Sequence, residues 1–139
     1  MAPSPVSLRI PSETRTAIDA VVRRTGRDFS SVTNEMLAEA VKMRRIPGIV
    51  FADSPSGRVA RLGGTGLEVW EVIAQYRSLG QAWDVLRQSF HWLSDSQLRA
   101  ALAYAEAYPE EIDAALEDEA SWTPEHIRST YPFTAPPVR

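Results

Sequence analysis

The 139-residue chain contains no cysteine, which excludes disulfides, thiolate metal sites and cysteine nucleophiles. Histidine is nearly absent as well: His91 and His126 are too few and too far apart in sequence to build a metal centre, so neither metal nor cofactor is expected. No apolar run approaches the ~20 residues a membrane span requires, and no charged-then-apolar leader opens the chain. The expectation is a cytoplasmic protein with no membrane partner. Basic residues are missing from one long stretch, since no lysine or arginine stands between Arg99 and Arg128. Glu106, Glu110, Glu111, Asp113, Glu117, Asp118, Glu119 and Glu125 gather there instead.

The front of the chain has the opposite balance. Residues 1–45 carry eight basic side chains against five acidic ones, a balance of +3 in a chain of net charge -3, so the remainder carries -6. A basic front and an acidic rear point to different partners for the two ends. The length allows one ordinary domain or two small ones, and two small ones fit better. We read 1–45, 46–120 and 121–139 as separate segments.

Val6-Ser7-Leu8-Arg9-Ile10 alternates apolar and polar side chains, the period of a strand with Val6, Leu8 and Ile10 on one face. Such a strand needs a partner for its backbone groups, yet the next ~35 residues read as two helices. A second copy of the chain would supply one. Pro11 and Ser12 mark a helix start with Ser12 as N-cap, and Ile18, Val21, Val22 and Thr25 follow at helical spacing. Arg23 and Arg24 in the last turn and Gly26 beyond it are the expected ending. A second helix follows the turn Gly26-Arg27-Asp28, capped by Asp28 or Ser30, with Phe29, Thr33, Met36, Leu37, Ala40 and Val41 as its apolar stripe.

Forty-five residues are too few to bury a core alone. VSLRIPSE followed by GRDFSSVTNEML resembles the ribbon-helix-helix family of transcription regulators and antitoxins, in which two copies pair their strands into a ribbon that enters a DNA major groove. The resemblance implies that Ser7 and Arg9 face base edges and that amides near Phe29 and Ser30 hold a backbone phosphate. Arg27 and Lys42 are candidate phosphate contacts. Pro5 stands where the family usually has a polar residue, which removes one potential base contact per chain.

From Ile46 the signals change. Ile49-Val50-Phe51 and Arg58-Val59-Ala60-Arg61-Leu62 flank the turn Asp53-Ser54-Pro55-Ser56-Gly57 and read as a hairpin. Gly63-Gly64-Thr65-Gly66 fits neither phosphate-binding fingerprint and precedes a helix bearing Leu67, Val69, Trp70, Ile73 and Tyr76. Trp83, Val85, Leu86 and Phe90 mark another helix. Ser94-Asp95-Ser96-Gln97 is a capping box opening a third, with Leu98, Ala101, Leu102, Tyr104 and Ala105. The runs RLGGTGLEVWEV and LSDSQLRAALAYAEAYPEEID look like the antitoxin-associated domain of unknown function 433, over roughly residues 46–115, which implies a small helix-turn-helix-like bundle. Two readings of it stay open. It is a structural bundle that carries the tail and helps oligomerise, or a second DNA-contacting element with Arg58 and Arg61 as accessory phosphate contacts. Its outward helix face of Asp95, Ser96, Arg99, Ala103 and Glu106 is poor in cations.

An acidic helix over residues 109–120 carries only Ile112, Ala115 and Leu116 as apolar residues. Thr123-Pro124-Glu125 starts a last short helix that Tyr131-Pro132 stops. Trp122, Ile127, Tyr131 and Phe133 either pack back on the bundle or anchor another protein.

The expected fold is therefore mainly α: an N-terminal ribbon-helix-helix, a short β-hairpin, a helix-turn-helix-like bundle and a tail with a short helix. The combined resemblance implies a type II antitoxin of the VapB-like kind. Its front would bind operator DNA as a homodimer or higher even-numbered oligomer, and its tail would block a PIN-like ribonuclease toxin. Arg128 and Arg139 are the tail cations able to neutralise the carboxylates of such an active site. The alternative is a free-standing ribbon-helix-helix regulator with no toxin partner. No catalytic residues are expected, because Glu110, Glu111 and Asp113 lie on a surface helix without an aligned base, nucleophile or second ligand set.

Overall fold

Pro11 sets the start of the first helix, α1 (Ser12–Thr25), by holding the N-cap position with an extended backbone, φ -56° and ψ 147°. Ser12 is thus already helical and caps nothing with its side chain, contrary to the expectation for it. Proline fixes its own φ and disfavours helix in the residue before it, so the boundary falls at the proline and not at the serine. The other end is as expected. Arg23 and Arg24 occupy the last turn, and Gly26 adopts the left-handed conformation (φ 69°) while its N–H donates to the Val22 carbonyl at 2.9 Å.

The second helix, α2 (Phe29–Arg45), is capped by Asp28. Its Oδ1 accepts from the Ser31 amide at 2.7 Å, and the Ser31 hydroxyl donates to Oδ2 at 3.1 Å. These bonds, the amide's first, hold the Asp28 carboxyl below its ordinary pKa. The computed structural model describes residues 2–134, and the chain divides into two compact units, Met1–Arg44 and Arg45–Arg139. In the first unit the buried apolar side chains are Ile18 and Val32. Residues 6–10, read as a strand, have no regular secondary structure within one chain.

The second unit opens with a hairpin, β1 (Ile49–Ser54) antiparallel to β2 (Gly57–Leu62). Its turn is shorter than the sequence suggested. Pairing continues through Asp53↔Arg58 to Ser54↔Gly57, leaving Pro55 and Ser56 as the loop. Two features draw the strands out: Arg58 reaches Asp53 across the ladder at 3.2 Å, and Gly57 takes a φ of 113° that a side chain would resist.

Four helices follow, α3 (Val69–Ser78), α4 (Trp83–Ser89), α5 (Asp95–Ala107) and α6 (Pro109–Ser121); α3 and α5 pack on the hairpin and on each other, α4 packs on α3, and α6 on α3 and α5. Their core joins Ile49, Ala60 and Leu62 of the hairpin to Val72, Leu86, Leu98, Ala101, Tyr104 and Ile112. Tyr104 is fully buried, and its hydroxyl donates to Glu111 of α6. That bond satisfies a polar atom which burial would otherwise penalise. Helix α5 starts in the expected capping box of Ser94 and Gln97. Helix α3 has one too, built from Glu68 and Glu71, with the Glu68 carboxylate also accepting from the Trp70 indole.

A last helix, α7 (Pro124–Thr130), begins as read: the Thr123 hydroxyl oxygen accepts from the His126 amide at 3.2 Å, and Pro124 takes the first helical position. A 3-10 turn, Pro132–Thr134, follows. Among the described residues the protein is mainly helical, with seven α-helices and one two-stranded antiparallel hairpin. No described helix is long and apolar enough to cross a membrane.

Candidate functional site

The N-terminal segment lies along the first half of α2 without pairing to it. Val6, Leu8 and Ile10 line a groove of about 260 Å³ together with Phe29, Ser30, Thr33, Asn34 and Leu37. These alternate residues share a face, as period two requires, while Ser7 and Arg9 between them are exposed. The groove does not bury its own walls: Val6 keeps 81% and Leu8 64% of its surface in solvent. Met36, Leu37, Val41 and Met43 extend the exposed apolar surface along α2. The Thr33 hydroxyl beneath is buried without a hydrogen-bond partner. Here is a contiguous apolar face on a unit whose own interior amounts to little.

Polar groups around this face differ in how available they are. Arg27 donates to Glu35 at 2.9 Å and reaches the Ser31 carbonyl at 3.5 Å, so its charge is largely offset. Lys42 is half-buried and already engaged within the protein. Ser30 is exposed in the first turn of α2. The positive end of that helix, where amides near Phe29 and Ser30 were read as a phosphate cradle, holds the Asp28 carboxylate instead, and the Ser30 and Ser31 amides both contribute to its lowered pKa. A phosphate there must share the helix end with that anion. Arg15 stacks its guanidinium 4.4 Å from the centre of the Phe29 ring. No local spacing announces this pair, because packing between α1 and α2 makes it.

The tail forms a second cluster. Trp122 stacks on Tyr131 with ring centres 6.4 Å apart and planes within 15°. His126 meets Trp122 edge-on at 5.0 Å, and Phe133 meets Tyr131 at 5.9 Å. Ile127 is half-buried, but Trp122 and Tyr131 are exposed and Phe133 keeps 84% of its surface in solvent. These side chains organise one another, and no residue of α7 is buried. Arg128 is exposed in the last turn of α7; Arg139 lies outside the described residues.

In the sequence between these segments, the hairpin and α5 offer few unengaged cations. Arg58 is paired with Asp53 and Arg61 with Glu68, and Arg99 lies 4.6 Å over the Trp83 ring. Asp95, Ser96, Ala103 and Glu106 are exposed on α5. Among the described residues no group of three or more His, Asp or Glu could hold a metal ion. No family model matches the chain, and neither a curated protein nor a solved structure matches it.

Proposed function

We propose that the protein is a type II antitoxin of the VapB-like kind, whose N-terminal unit dimerises as a ribbon-helix-helix and binds operator DNA, and whose tail blocks a PIN-like ribonuclease. One observation carries the reading above all: Val6, Leu8 and Ile10 line one groove with Leu37 of the exposed stripe of α2, on a unit that buries little else. A second copy laid antiparallel on this segment pairs the backbone of residues 6–10 and covers Val6, Leu8, Leu37 and Val41 at once. Ser7 and Arg9 then lie on the outer face of a two-stranded ribbon, the shape a major groove admits. The basic balance of residues 1–45 favours a polyanion at that face.

The helix-turn-helix-like region around α4 and α5 serves in this reading as a scaffold. Its cations are paired or stacked, which leaves little for phosphate. The tail presents aromatic anchors already held in place by one another, an arrangement that lowers the ordering cost of docking. Arg128 projects from that cluster's helix and would meet the carboxylates of a PIN-type active site.

Co-purification from the native host, followed by a ribonuclease assay, tests the proposal. A Mg2+-dependent PIN-type nuclease recovered with the protein, inactive in the complex and active after its removal, is the expected result. A protein that binds its own promoter yet recovers no nuclease would reduce the assignment to a regulator, and one that binds neither would overturn it.

A further inference from the structure

Prolines divide the N-terminal segment by parity. Pro3, Pro5 and Pro11 all stand at odd positions, as do Ser7 and Arg9, whereas Ser4, Val6, Leu8 and Ile10 at even positions carry backbone N–H groups. In an antiparallel pair alternate residues exchange both hydrogen bonds with the opposite strand, and the amides between them point away from it. A proline has no N–H to give, so it belongs among the outward-pointing residues. The even residues are therefore the set able to pair without a gap. From Ser4 to Ile10 the backbone makes no hydrogen bond with the backbone of another described residue, which leaves that set open to a further strand.

On the reading above, in which a second copy supplies that strand, the same set fixes the register. A two-fold axis at Ser7 opposes Ser4 to Ile10 and Val6 to Leu8 of the second copy. Every even residue then has a partner, and apolar side chains meet on the groove side. An axis at Leu8 would set Ser4 against Ser12, which is already the first residue of α1. An axis at Val6 would set Leu8 against Ser4 and Ile10 against Ala2, which separates the apolar side chains. Registers that oppose odd to even residues turn the apolar face of one strand toward the polar face of the other.

We propose that Ser7 lies on the two-fold axis of the ribbon, opposite Ser7 of the second copy, and that Pro5 of each copy stands opposite Arg9 of the other. Both are non-hydrogen-bonded pairs, whose Cα atoms approach to about 4.5 Å. Pro5 then does more than remove a base contact. Its ring packs on the aliphatic stem of the second copy's Arg9 and restricts the directions that guanidinium takes. The outer face is incomplete in one chain, since each Arg9 is positioned by the other copy.

Disulfide trapping tests the register, because the chain has no cysteine and each introduced thiol is its only one. Pro5, Ser7 and Arg9 are exposed, so cysteines there leave the buried residues of the unit in place. Under mild oxidation of the full chain, Ser7→Cys should be trapped as a covalent dimer, its Cα atoms lying within the roughly 4.4–6.8 Å that a disulfide spans. A mixture of Pro5→Cys and Arg9→Cys chains should cross-link while neither does so alone, and this pair decides the matter if Ser7→Cys does not fold. Cross-linking of Arg9→Cys alone, or of Val6→Cys or Leu8→Cys in place of Ser7→Cys, puts the axis elsewhere and overturns the proposal while sparing the ribbon. If none of the variants cross-links although the chain is dimeric, or if the chain is monomeric, the ribbon itself falls and the proposal with it. In a dimer mixed from isotope-labelled and unlabelled chains, nuclear Overhauser contacts should join the Pro5 ring to the Arg9 methylenes of the other copy. Their absence from a dimer that Ser7→Cys traps would remove the positioning role of Pro5.

Discussion

The two units of this chain solve the burial problem differently. The second encloses a core of fourteen buried apolar residues, from Ile46 to Ile112, in which hairpin and helices each contribute. The first buries Ile18 and Val32 and leaves Val6, Leu8, Met36, Leu37, Val41 and Met43 exposed. Both have amphipathic elements and sound helix ends, so the difference lies in whether the apolar faces find each other within one chain. They do in the second unit; in the first much of the apolar surface stays in solvent.

The largest effects should come from the self-sufficient half. Leu98→Ala removes a fully buried side chain and should cost about 2–5 kcal/mol, read by denaturant titration of the second unit. That loss should not vary with protein concentration; a strong concentration dependence would mean the second unit also relies on a partner. Next comes the tail. If the tail binds a toxin as proposed, Trp122→Ala should weaken that binding by about 2 kcal/mol or more, since an aromatic anchor stacked on Tyr131 is lost, while the second unit's unfolding stays as in the parent. Calorimetric titration with the purified toxin would check it, and an unchanged affinity would remove the tail cluster from the interface.

Arg9 and Arg27 divide the front. Arg9→Ala should cost about 1–3 kcal/mol of operator affinity and relax preference at one base pair, if its guanidinium donates to a guanine edge. Arg27→Ala should change affinity and salt slope much less, because Glu35 already neutralises that charge. Gel-shift titrations at two salt concentrations separate them, and equal losses would mean the Arg27–Glu35 pair opens on DNA. The smallest effect is the Asp28 cap. Its pKa is depressed in the folded state by the Ser31 amide and hydroxyl, so its contribution is present above the unfolded pKa and lost as pH falls through the folded one. The parent should therefore lose helicity on acidification more steeply than Asp28→Ala, as measured by circular dichroism across acid pH; parallel curves would remove the cap from that transition.

Helix ends and helix faces were readable from residue types because their causes are local. Gly26, Ser94 with Gln97, and Thr123 with Pro124 each act within a turn of chain. Ser12 failed as a cap because Pro11 beside it had already fixed the boundary. The hairpin turn was read too long, since Asp53 is turn-forming by type but is held in the ladder by Arg58 opposite it. The Glu68–Glu71 box on α3 went unread because the usual cap signal is Ser or Thr, not Glu. At the candidate interfaces, exposure of Ser7, Arg9 and the tail aromatics follows from the alternation and composition of those segments. The Arg27–Glu35 pair and the Arg15–Phe29 stack do not, as they bring together residues eight and fourteen positions apart across a turn.

Sedimentation equilibrium of the full chain beside a chain lacking residues 1–10 tests the central claim most directly. Completion of the N-terminal unit by a second copy predicts a dimeric or higher even-numbered mass for the full chain and loss of that association without Val6, Leu8 and Ile10. A full chain that sediments as a monomer at micromolar concentration, or a truncated chain of unchanged assembly, would contradict it.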